Sequence, residues 1–83
     1  MIITIVKTKR QIRIRRGDRG FSCLLRYVEV RCGQDDIDGI VSYYVDVGSD
    51  HEDSWHILRF NDQKDRDNFV DELCQIGVPR IHG

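Results

Sequence analysis

The sequence predicts an α+β fold: an antiparallel sheet of about five strands, a meander or half-barrel, with one C-terminal helix packed on it. Three observations carry this reading. β-Branched residues alternate with charged ones near the N-terminus, at Ile12 and Ile14 with Arg13 and Arg15 between them. Glycine-rich or acidic breaks then recur between apolar blocks. From Asp62 onward the apolar period changes from two to that of a helix. Period two is what a half-buried strand requires, and the i, i+4, i+7 pattern is what one helix face requires.

Taken in order, residues 1–16 read as extended chain, with Ile2, Ile3, Ile5 and Val6 ahead of the Ile12/Ile14 alternation. Lys7-Thr8-Lys9 is either a hairpin loop or the exposed middle of one long strand. Gly17-Asp18-Arg19-Gly20 is a turn, since glycine supplies positive φ without steric cost. A second strand block runs from Phe21 to about Cys32, followed by a polar acidic loop from Gly33 through Asp38. Ile40, Val41, Tyr43, Tyr44, Val45 and Val47 make the next strand, and Gly48–Asp53 a second acidic loop. Trp55 to Phe60 ends the sheet. Phe69, Leu73 and Ile76 then fall on one helix face, widened by Val70 and Cys74. Asp62 suits the N-cap, Asp65 the positive helix end and Gly77 the C′ position, and Val78-Pro79 forbids continuation.

Eighty-three residues with 40% hydrophobic and 33% charged content fit a single soluble domain spanning 1–83. The sequence shows no charged-then-apolar leader and no long apolar run, which predicts a cytoplasmic protein. Cys23, Cys32 and Cys74 are odd in number, widely spaced and without a CxxC, so they predict reduced thiols rather than a disulfide framework or zinc site.

The charge distribution is the most informative functional feature. Residues 1–33 carry nine Lys/Arg against two acids, a net of +7. Residues 34–83 carry twelve acids against four bases, a net of −8. A total of −1 therefore hides a strongly dipolar molecule, and the field at a patch depends on its local charges. Lys7-x-Lys9-x-Gln11-x-Arg13-x-Arg15 is the sharpest pattern. In one strand these positions would share a face at about 6.8 Å intervals, a row suited to phosphates or to a carboxylate surface. Lys7, Lys9, Arg10, Arg13, Arg15, Arg16 and Arg19 are accordingly the candidate partner-binding residues.

Other constellations are weaker. Arg16-Gly17-Asp18 spells an integrin-binding tripeptide, but here it reads as a hairpin turn. The acidic stretches lack both the twelve-residue calcium-loop spacing between helices and closely spaced His/Cys pairs, so no metal or cofactor is expected. His51, His56 and His82 sit beside no recognisable nucleophile motif, and no enzyme is expected.

Leu58-Arg59-Phe60-Asn61-Asp62, running into Arg66-Asp67-x-Phe69-Val70-x-x-Leu73, resembles the end of pleckstrin-homology-like domains. There a last strand passes into a helix that plugs an open barrel. Lys9 followed by Arg13-Ile14-Arg15 is similar to that family's phosphoinositide pattern, a Lys and later a base, any residue and Arg. The resemblance covers roughly a third of the chain and implies lipid-headgroup binding. The residues themselves point to a non-enzymatic, stand-alone binding protein: an inhibitor, adaptor or regulator that docks a charge-segregated surface on a protein partner. Nucleic-acid or anionic-lipid binding through the basic N-terminal strands is the alternative. A weak homodimer is expected from the opposed charges.

Overall fold

A computed structural model describes residues 2–81. The extended N-terminal stretch forms two antiparallel strands, β1 (Ile3–Lys7) and β2 (Gln11–Arg16). Thr8 makes the hairpin loop between them. Its hydroxyl accepts from the Gln11 amide at 3.0 Å, and its own amide donates to the Gln11 carbonyl at 2.8 Å. A short hydroxyl side chain bonding nearby backbone is what competes with continued strand. β3 (Arg19–Leu24) follows a two-residue turn at Gly17-Asp18, where Gly17 takes φ +64°. Positive φ at the first central position is the glycine-first hairpin arrangement that matches strand twist.

The expected strand from Phe21 to Cys32 is two strands in different sheets. After Leu24 the chain turns, with the Tyr27 and Val28 amides both donating to the Leu24 carbonyl at 3.1 Å. It re-enters as β4 (Glu29–Ile37), which pairs with β5 (Ile40–Ser49), which pairs with β6 (Ser54–Phe60). The turn carries Val28, almost wholly buried, from one layer to the other.

Residues Gly33–Asp38 are likewise no loop. β4 runs through Asp35 and Asp36, and the reversal is confined to Asp38 (φ +54°) and Gly39 (φ +78°). Two consecutive positive φ values are the demand of a type I′ hairpin, for which Asp-Gly is a favoured pair. The loop from β5 to β6 shrinks to residues 50–53. In place of one sheet of about five strands, the described residues form six, in two three-stranded antiparallel meanders, β1-β2-β3 and β4-β5-β6.

α1 (Gln63–Gln75) begins as expected, with the Asp62 carboxylate accepting from the Lys64 amide at 2.8 Å. It ends in a Schellman motif. Gly77, at φ +102°, donates to Cys74, and Val78 donates to Leu73 at 3.0 Å. Pro79–Ile81 then lies along β4: the Val30 amide donates to the Pro79 carbonyl and the Ile81 amide to the Val30 carbonyl.

One core joins these parts. Ile12, Ile14 and Cys23 from the first sheet meet Val30, Val45, Val47, Leu58 and Phe60 from the second, and α1 adds Phe69, Val70 and Leu73. Each fully buried aliphatic side chain contributes about 1.5–3 kcal/mol relative to exposure. α1 packs on β4, β5 and β6, and among the described residues no helix covers the outer side of β1-β2-β3. Gly48 lets β5 and β6 close up, since a Cβ there would overlap the Ser54 carbonyl oxygen and lie 2.8 Å from the Trp55 Cα.

Candidate binding surfaces

The hairpin at residues 8–10 decides where each predicted cation goes. Strand pairing places Ile3 opposite Arg16, Ile5 opposite Ile14 and Lys7 opposite Ile12, so Lys7 belongs to the core-facing side of its strand. The reversal of the chain then puts Arg13 and Arg15 on the opposite, outward side. The five-position cationic row is therefore broken by a phase change. Gln11, Arg13 and Arg15 share a face as expected, so only two of the row's cations stay together. Val6 and Ser22 flank Arg13, while Thr4 and Gly20 flank Arg15. Lys9 and Arg10 sit in the adjoining hairpin loop.

Lys7 and Arg16 have structural work. Lys7 Nζ donates to the Ile76 carbonyl at 2.8 Å, where α1 ends without a basic residue in its last turn. It supplies from β1 the positive charge that a helix C-terminus favours. An Arg16 Nη donates to the Arg59 carbonyl at 2.7 Å, and its guanidinium lies 5.1 Å from the Phe60 ring centre. Arg19 stands exposed opposite Arg16 at the start of β3.

Charge segregation persists after folding. The ion pairs among the described residues are Arg31–Asp46, Arg59–Asp35 and Arg66–Asp67, all between positions 31 and 67. None engages Lys7, Arg13, Arg15 or Arg19. α1 turns Asp65, Asp67, Asp71 and Glu72 to solvent. Arg66, by contrast, is buried: it donates to the Gly33 carbonyl at 2.7 Å and lies over Tyr43, locking α1 to β4 and β5.

The acidic loop at residues 50–53 is a clasp between the sheets. The Glu52 carboxylate accepts from the Leu24 amide at 3.0 Å, His51 stacks on Tyr27 at 3.7 Å, and Asp50 accepts from the Trp55 indole at 2.9 Å. His56 stacks on Phe21 at 4.1 Å, and its Nε2 lies 3.2 Å from the Ser54 hydroxyl. Among the described residues no carboxylate bonds the other nitrogen of that ring, so this pair lacks the third group that orients a catalytic base. No cluster of three metal-ligating side chains occurs among the described residues. Among the described residues no helix is long and apolar enough to cross a membrane.

A groove of about 1100 Å³ opens between the edges of β3 and β6, with Arg16, Arg19 and Arg59 on its rim and Phe21, Trp55 and Ile57 along it. Nothing in the linear pattern signals it, because its walls come from strands more than thirty residues apart. Comparison with protein-family models, with curated proteins and with solved structures found no match for this chain.

Proposed function

We propose that this chain is a non-catalytic binding protein, an inhibitor, adaptor or regulator, whose outer β1-β2-β3 face docks on an acidic protein surface. The observation that carries this reading is the pairing of Arg13 and Arg15 on a face that, among the described residues, no helix covers and where neither side chain is in an ion pair. Val6 and Leu24, both exposed, border the arginines and add apolar contact area. Mixed arginine and apolar surface suits a protein interface, where arginine is enriched and apolar contacts fill the centre. The acidic side of α1 favours a protein partner over a long polyanion, which it would repel.

The test is capture from the native host with the wild-type chain as bait, identification by mass spectrometry, and titration of the purified partner. Arg13→Gln with Arg15→Gln should weaken that binding about tenfold or more, a loss of about 1.4 kcal/mol. Stability should change by about 0.5 kcal/mol or less, as for other exposed positions. Undiminished partner binding by the double variant would sink the proposal. So would arginine-dependent retention on duplex DNA or phosphoinositide vesicles in place of a protein.

A further inference from the structure

Two three-stranded sheets have four edges, at β1, β3, β4 and β6. That of β4 is covered at Val30 by Pro79–Ile81. The edges of β3 and β6 face the groove, and their backbones point into it. The Leu24 carbonyl accepts from Tyr27 and Val28 and its amide donates to Glu52, so Leu24 directs its polar groups away from β2. Antiparallel alternation turns Ser22 and Gly20 the same way. On β6 the Arg59 carbonyl accepts from the Arg16 guanidinium rather than from β5, and alternation turns Ile57 and Trp55 with it. Edges of this kind are templates for another strand.

The complementary feature is the tip of the β4–β5 hairpin. β6 pairs with β5 only from Tyr43 to Ser49, so Asp35–Ile37 and Ile40–Ser42 stand past its end. An overhang of three residues per strand projects about 10 Å. Ile37 is 63% exposed and Ile40 72%, with Asp36 and Asp38 exposed beside them. Tip and groove match in sign and in character. The tip is apolar and keeps Asp36 and Asp38 exposed; the groove carries Arg16, Arg19 and Arg59, the last already paired with Asp35 of its own chain, against Asp18, with Phe21, Trp55 and Ile57 as apolar contacts. Residues 40–42 also bring a strand edge that β6 of their own chain leaves unpaired.

We infer that the groove between β3 and β6 receives the β4–β5 hairpin tip of a second copy, by strand addition. Donor and acceptor surfaces differ, so the contact is head to tail and extends to rings or open chains. Arg19 faces the incoming aspartates, and Ile37 and Ile40 cover the exposed Ile57. This assembly uses a surface separate from Arg13 and Arg15 and stands independently of the docking reading above.

Sedimentation of the wild-type chain at low salt should show species that grow with concentration. Association should weaken between 0.01 M and 1 M salt, as the Debye length falls from about 30 Å to about 3 Å. A groove variant, Arg19→Gln with Ile57→Gln, and a tip variant, Ile37→Lys with Ile40→Lys, should each remain monomeric. Each should raise the dissociation constant at least about tenfold. Mixed in equal amounts they should form a dimer and nothing larger, because one intact groove and one intact tip remain. Hydrogen exchange on the wild-type chain gives a readout that no variant's folding affects. Raising the concentration should protect amides within Trp55–Arg59 and Ile40–Ser42. A wild-type monomer throughout, self-association by either folded variant, a mixture that stays monomeric, or protection confined to other strands would overturn the inference.

Discussion

Cys23 shows how one side chain registers both layers of the fold. It sits on the core side of β3, 4% exposed, close to the loop that brings Glu52 onto the Leu24 amide. Burial, and secondarily the Glu52 carboxylate, pushes its thiol from about 9 up to about 11. Both disfavour the thiolate, so the folded chain holds this proton more tightly than the unfolded chain does. Its contribution to stability is therefore constant below pH 9 and declines as pH rises from 9 towards 11. At pH 8 a thiol reagent should modify exposed Cys74 rapidly and Cys23 only after denaturant unfolds the chain. Prompt labelling of native Cys23, located by peptide mapping, would mean that the β3 edge opens readily. Lys7 and Arg13 give a second residue-scale lesson. Both belong to one cationic pattern in the sequence, yet one ends a helix and the other faces solvent. What separates them is the hairpin at residues 8–10, whose position the alternation leaves open.

Among the elements, α1 should be the most sensitive to single substitutions. Phe69 is buried, and its ring lies 5.7 Å from that of Phe60, at the seam between helix and last strand. Phe69→Ala should cost about 3–5 kcal/mol, measured by denaturant unfolding; an unchanged midpoint would show that the helix is peripheral to the core. This element was also the most legible, because its cap at Asp62, its apolar spacing and its stop at Gly77 all point the same way. The strands were legible where apolar alternation and glycine agreed, as in β2 and the turn into β3. They were obscured where composition and geometry conflict. Asp35 and Asp36 are poor strand formers that β4 nonetheless includes, because its partner β5 continues to Ile40. Asp38-Gly39 carried the hairpin signal but lay inside an acidic run that reads as loop. Leu25–Val28 contains no glycine or proline, so nothing local marked the passage between sheets.

At the scale of the molecule, the charge split was legible by counting, whereas the groove depends on where distant strands come to lie. The two features meet in a prediction about stability. Lys7, Arg13, Arg15 and Arg19 make no ion pair with the acids of the second half among the described residues. Arg31–Asp46 and Arg59–Asp35 both join partly exposed side chains, and such surface pairs contribute about 0–1 kcal/mol. Crowding of Lys9, Arg10, Arg13, Arg15 and Arg19 on one small sheet therefore leaves local repulsion as the larger electrostatic effect. Screening that repulsion should stabilise the fold. Calorimetry at a fixed low protein concentration, where self-association is negligible, should show the melting temperature rising as sodium chloride increases from 0.01 M to 0.5 M. A gain of 1 kcal/mol would read as about 4–8 °C for a domain of this size. Arg13→Gln with Arg15→Gln should reproduce part of that rise at low salt and reduce the further effect of salt. A melting temperature that falls with salt would mean that attraction between the two sheets outweighs repulsion within the first. The exposed arginines would then be held by the fold's own acids rather than left for a partner.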